Sequence, residues 1–210
     1  MASKDLTLPS IKHKRQKLPF SKGIAVTRTT VLLVVDGNVE ISYFNKLNRL
    51  GIFPKLRLKP INGNENTYKI IFKENLDLQH KYLILDIDNS DKNNATRAEK
   101  IRSITTHRNY KDIVFFNNYS FETFILNHLN LFARPITEKT QYDDEMSKKF
   151  GICKWSKYKD QENTDKIIKL IDENSYQVML NNITYIFKDD CFANPSSNMH
   201  LLFEKLERIQ

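Results

Sequence analysis

The stretch Thr30–Val35 reads Thr-Val-Leu-Leu-Val-Val and has no polar face. It is too short for a helix. A strand apolar on both sides must be covered on both sides, which is the situation of a central strand in a parallel sheet with helices above and below. Tyr82–Leu85 and Ile113–Phe116 repeat the pattern. Helical spacing separates these runs. Asn38–Leu50 carries Val39, Tyr43, Phe44, Leu47 and Leu50 on one stripe, with Asn38 as its expected N-cap and Gly51 at C′. Leu56–Ile61 reads as a second, more exposed strand. Further helices are predicted over 65–76 (through Tyr68, Ile71, Phe72 and Leu76), over 95–106 and over Ser120–Leu131, the last with Phe121, Phe124, Ile125 and His128 on one side. The order β-α-β-α-β-α-β-α predicts an α/β fold, a central, mostly parallel sheet flanked by helices and joined by right-handed crossovers.

Pro135 breaks that rhythm. Residues 136–163 are polar and charged with few apolar anchors, and helices are expected at 164–173, 176–187 and 196–208. The organisation read from this is a flexible basic arm at 1–28, an α/β core at 29–134, and a helical C-terminal extension at 135–210 packed on the core. The arm holds most of the net charge of +8: residues 1–30 contain seven Lys or Arg against the single acid Asp5. Lys12, Lys14, Arg15 and Lys17 cluster between Pro9 and Pro19 and could touch phosphates. A solubilising tail is the plainer alternative. Two cysteines, Cys153 and Cys191, are too few for a disulfide framework or a four-cysteine zinc site. No apolar run is long enough for a membrane span or a signal peptide, so a soluble cytoplasmic protein is expected.

Ligands of open α/β sheets bind outside the carboxyl ends of the strands. Three expected strand ends carry acids there: Asp36-Gly37-Asn38-Val39-Glu40, then Asp86-Ile87-Asp88, then Glu122 shortly after the strand at 113–116. Clustered carboxylates stay ionised together only beside a counter-charge, and a divalent cation is a compact one. Strand alternation sends Asp86 and Asp88 to one side. Glu40, early in a helix, can reach across the turn as ligand or proton-transfer group. Acids at helix N-termini also occur simply because they suit the helix dipole.

The ordered set Asp36-Gly37, Glu40, Tyr43-Phe44 and Asp86-x-Asp88 resembles a Toprim domain, the catalytic α/β module of topoisomerases, primases and OLD-type nucleases. Asn117-Asn118-Tyr119-Ser120-Phe121-Glu122-Thr123-Phe124-Ile125-Leu126-Asn127-His128 resembles the "Asn-Pro-x-Phe-Glu-x-Trp-Leu-Leu-x-His" segment of RloB-like proteins, and Asn194-Pro195-Ser196-Ser197 their "Asn-Pro-Ser-Thr" segment. The resemblance runs from about residue 30 to residue 208. It implies a Toprim-like fold, Mg²⁺ or Mn²⁺ as cofactor, and nuclease chemistry on RNA or DNA. It further implies a bacterial anti-phage setting of the AbiL abortive-infection type, with an AAA-type ATPase as partner. Carried over, Asp36, Glu40, Asp86 and Asp88 are the metal-site acids. Glu40, Asp86, Asp88 and Glu122 are the catalytic set, with Glu40 as a candidate general base. The sequence departs from the pattern at Asp36, where Glu is usual, at Asn118 in place of Pro, and at Phe124 in place of Trp. The Asp36 change leaves room for a catalytically weak, nucleic-acid- or partner-binding subunit.

Trp155 sits among lysines, and Lys154 and Lys157 join the arm as candidate nucleic-acid contacts; packing of Trp155 on the core is an equal alternative. His128 lies on an apolar helix side and reads first as a core histidine, second as a proton-transfer group. Asn194-Pro195-Ser196-Ser197 suits a helix start with Ser196 or Ser197 as cap. Asp86-Ile87-Asp88-Asn89-Ser90 loosely resembles the nucleophile loop of haloacid-dehalogenase-type phosphatases, but that loop follows a first strand and here a βα unit precedes it.

Overall fold

The computed structural model describes residues 27–87, 95–107, 112–118, 120–135, 139–151, 161–186 and 195–209. The apolar run forms β1 (Thr29–Val35), with Val31 to Val35 wholly buried. It is followed by α1 (Asn38–Leu50), β2 (Leu56–Asn62), α2 (Tyr68–Glu74), β3 (His80–Asp86), α3 (Ala95–Thr106), β4 (Val114–Asn118) and α4 (Phe121–Leu126). The extension adds α5 (Lys139–Phe150), α6 (Gln161–Lys169), α7 (Glu173–Ile186), β5 (Ser196–Ser197) and α8 (Met199–Ile209). The sheet order is β2-β1-β3-β4-β5; the first four strands are parallel and β5 is antiparallel to β4. This is the expected α/β fold, a mostly parallel sheet flanked by helices with a helical extension.

Strand alternation divides the core into two layers. Val31, Leu33 and Val35 of β1 face α1, α4 and the extension helices, whereas Leu32 and Val34 face Tyr68 of α2 and Ile101 of α3. The chain moves to β2 across one face and returns to β3 and β4 across the other, so its three crossovers share one hand. The first layer centres on aromatics: Tyr43 meets Phe44, Phe121 and Phe124 edge-on at 5.2–5.5 Å, and Phe124 stacks on Phe203 of α8 at 5.8 Å. On the other face, a Cβ at Gly63 would lie 2.6 Å from Ile71 Cδ1 and 2.7 Å from Val34 Cγ1, so only glycine lets α2 close on the sheet here.

Several expectations are corrected. Gly37, in extended conformation, caps α1 in place of Asn38, while Gly51 ends the helix at φ 70° as expected. The helix expected over 65–76 spans only Tyr68–Glu74, and Leu76 is 78% exposed. The helix expected over Ser120–Leu131 ends at Leu126, where the Asn127 side chain captures the backbone beyond it: Oδ1 accepts from Phe132 N at 3.0 Å, and Nδ2 donates to Phe132 O at 3.2 Å. A helix, α5, occupies part of the stretch read as polar with few apolar anchors; it is held by buried Met146 and the 2.7 Å Arg134–Glu145 ion pair. Ser196-Ser197 form a strand rather than a helix start, pairing with Asn118 and Asn117. Ser197 keeps part of the capping role, since its Oγ accepts from Met199 N at 3.3 Å. The loop at 89–94, the arm residues Lys12, Lys14, Arg15 and Lys17, and Lys154, Trp155 and Lys157 lie outside the described residues.

Candidate functional site at the carboxyl edge of the sheet

The sheet's direction of growth reverses between β1 and β3. This is the switch point at which open α/β sheets form a ligand crevice. Asp36 follows the last residue of β1, and Asp86 is the last residue of β3, so two acids flank the crevice. Alternation fixes where Asp86 faces. Leu83, Leu85 and Ile87 belong to the α2–α3 layer and Tyr82 and Ile84 to the α1–α4 layer, so Asp86 looks toward α1 and α4. Glu40 in the first turn of α1 and Glu122 in the first turn of α4 enter the same edge from that side. Asn117, which faces the same way as Phe115, lies on the neighbouring strand.

Local chemistry holds these acids. Gly37 is the N-cap and Glu40 the third residue of α1, a spacing that lets the side chain fold back over the turn. A Cβ at residue 37 would stand 3.0 Å from Glu40 Oε2, and Glu40 is buried to 6% exposure. The carboxylate therefore rests over the turn, in the favourable field of the helix N-terminus. Glu122 is similarly enclosed: Ser120 Oγ donates to Glu122 Oε2 at 2.5 Å, and both residues are buried. Asn117 Oδ1 accepts from Ser197 Oγ at 2.9 Å, tying the edge to β5, while its Nδ2 is a buried donor with no hydrogen-bond partner among the described residues.

The structure thus brings Asp36, Glu40, Asp86 and Glu122 to one edge of the sheet. Asp88 lies outside the described residues. Hard carboxylate oxygens are the donor type that Mg²⁺ or Mn²⁺ would take. Among the described residues, however, no three His, Cys, Asp or Glu side chains stand close enough together to hold a metal ion. The donor chemistry fits a divalent cation; the arrangement of the described side chains does not complete a site for one.

His128 sits behind this edge. Its Nε2 shares a 3.1 Å hydrogen bond with Tyr43 OH, and the ring lies edge-on to Tyr43 and Phe124 at 5.4 Å. Burial pulls its pKa down to about 3, against smaller opposing effects of the Ser175 backbone and Asp172. A neutral imidazole packed on aromatics matches the core reading. Burial also raises the Tyr43 hydroxyl well above the ordinary tyrosine range, with the neighbouring Tyr176 adding to it.

Sequence reasoning missed Ser120, Ser197 and Tyr43 as partners of the motif residues. The available signal was position: Ser120 precedes a helix carrying an acid two residues on, and Ser197 stands in a segment already singled out. The phosphatase reading loses its premise, since Asp86 ends the third strand in chain order. Among the described residues, no helix is long and apolar enough to cross a membrane. In comparisons with known proteins, a family model described as RloB-like protein matches residues 31–206. No curated protein and no solved structure matches the chain.

Proposed function

The chain belongs to the RloB-like protein family, and on that premise we propose that it is a Toprim-like, nucleic-acid-binding subunit of a bacterial defence complex with weak catalysis of its own. The observation that carries this reading is the engagement of the acids in their own turns. Glu40 rests over Gly37 and Glu122 is bound by Ser120, whereas a hydrolytic metal centre needs several carboxylate oxygens turned toward one ion. Asp36, one methylene shorter than the usual Glu, supports the same reading. The chain works in the cytoplasm beside an AAA-type ATPase, and RNA or DNA is held through its backbone, partly by the arm residues Lys12, Lys14, Arg15 and Lys17 and by Lys154 and Lys157. The arm at 1–28, the core at 29–134 and the extension at 135–210 divide these tasks.

A second reading, a metal-dependent nuclease, is favoured by one observation: Asp36, just past β1, and Asp86, at the end of β3, stand on adjacent parallel strands at the switch point, with Glu40 and Glu122 entering from the same side. In it, Asp36, Glu40, Asp86 and Asp88 hold Mg²⁺ or Mn²⁺, which supplies water activation and stabilises the leaving oxygen. Glu40 takes up a proton and Glu122 positions the edge. Two measurements separate the readings. Calorimetric titration with Mg²⁺ and Mn²⁺ is expected to give no binding at millimolar levels, while labelled RNA or DNA binds. Metal-dependent cleavage by the intact chain that Asp86→Ala abolishes, with the fold retained, would establish the nuclease and overturn the first reading.

A further inference from the structure

Away from the sheet edge, α1 carries Ser42, Lys46 and Arg49 at spacings of four and three, so their side chains share one stripe. α6 lies along that stripe. Gln161 Nε2, at the start of α6, donates to Ser42 Oγ at 3.4 Å, near the start of α1. Farther along, Lys46 and Arg49 share a groove of about 270 Å³ with Asp165, Ile168 and Lys169. The two helices therefore run side by side in one direction, with their N-termini toward the carboxyl edge of the sheet.

The groove holds three cations and one acid. Asp165 Oδ1 already accepts from Gln161 Nε2 at 2.8 Å, within its own helix. Lys46, Arg49 and Lys169 have no acidic partner among the described residues, although Lys166 on the same helix pairs with Glu162 at 2.9 Å. A groove whose lining is net positive concentrates anions. Arginine grips phosphate through a planar fork, and lysine supplies a point charge, so the set suits phosphate oxygens in sequence-independent contact. The helical rise places Lys46 about 9 Å and Arg49 about 14 Å along α1 from Glu40. A strand in the groove would reach the acidic edge within a few nucleotides.

We propose that the α1–α6 groove is a phosphodiester track in which Lys46, Arg49 and Lys169 hold the backbone of a nucleic-acid strand and lead it toward the edge bearing Asp36, Glu40 and Asp86. The proposal rests on the nucleic-acid-binding reading above and names a surface for it. The test is fluorescence anisotropy of the full chain with a labelled single-stranded RNA, and with DNA of the same sequence, over a range of salt concentrations. The variant K46Q/R49Q/K169Q is expected to lose at least tenfold in affinity, and the steepness of its log–log salt dependence to fall by about 2, about 0.7 for each phosphate that is no longer neutralised. R57Q/K69Q/K73Q removes the same charge from the opposite face of the sheet and is expected to bind nearly as the parent does. K46R/K169R is expected to retain affinity. Arg49→Gln alone, a milder change, is expected to show about a third of the slope change.

If the parent binds and the triple variant binds equally, the track is overturned and the nucleic-acid reading stands. If both triple variants lose equally, overall charge and not this groove is responsible, which also overturns it. If the parent binds neither RNA nor DNA, both readings fall.

Discussion

At the scale of single residues, His128 has a measurable consequence in pH. Its imidazole is held at about 3 when folded, against an ordinary 6.5. Above 6.5 it is neutral in both states and contributes no pH dependence. Below 6.5 the unfolded chain takes up a proton that the folded chain refuses until about 3, so stability falls as pH drops through that window. The slope approaches about 1.4 kcal/mol per pH unit, so about 2 kcal/mol should be lost between about pH 6.5 and about pH 5. His128→Gln can keep a hydrogen bond to Tyr43 OH but cannot take up the proton. Urea unfolding of both chains at several pH values should show their stabilities converging as pH falls; parallel curves would mean that His128 protonates freely in the fold. The conformation behind this was half legible in the sequence. The apolar side of the helix named His128 as a core residue. Its partner Tyr43 lies 85 residues away on another helix, and no local pattern reports such a pair.

The elements of the extension join the sheet through the shared apolar layer and through specific hydrogen bonds. Asn198, between β5 and α8, accepts from Phe116 N at 2.7 Å, and its own N–H donates to Phe116 O at 3.3 Å. Asn198→Ala leaves the Phe116 amide without that acceptor, a loss of about 1–3 kcal/mol for a buried donor. Chemical denaturation should show it, with faster hydrogen exchange at the Phe116 amide; unchanged exchange would mean that β4 does not depend on this contact. The central strands were legible because Val31–Val35 and Leu83–Leu85 are apolar on both faces, a pattern few other structures can bury. The helix ends were not. Apolar spacing continues to Leu76 and Leu131, yet both are exposed, since a periodic pattern cannot report where the chain turns away. α5 was invisible for the converse reason: among its described side chains Met146 alone is wholly buried, and the Arg134–Glu145 pair that braces it joins residues eleven apart. β5 is two residues long and exists through its pairing with Asn117 and Asn118. At the site, the strand-end rule placed Asp36 and Asp86 at one edge. The folding of Glu40 over Gly37 depends on turn geometry that residue identity does not specify.

Charge arranges the whole molecule around these pieces. Acids gather at the carboxyl edge of the sheet, and a basic groove runs away from it along α1 and α6. Residues 1–26 carry six Lys or Arg and one Asp, a net +5 of the chain's +8, so their removal leaves +3. Among the described residues, the buried hydrophobic core begins at Val31. Deletion of 1–26 should therefore leave the thermal midpoint nearly unchanged while weakening nucleic-acid binding. Contacts to the backbone carry no sequence information, so the loss should be similar for unrelated sequences. It should also shrink as salt rises, because released counter-ions supply the driving force. Combining the deletion with K46Q/R49Q/K169Q gives a sharper outcome. If arm and groove hold separate phosphates, their losses in binding free energy should add. If the arm competes for the groove instead of assisting it, the deletion alone should tighten binding to RNA, and the combined variant should bind no more weakly than the groove variant.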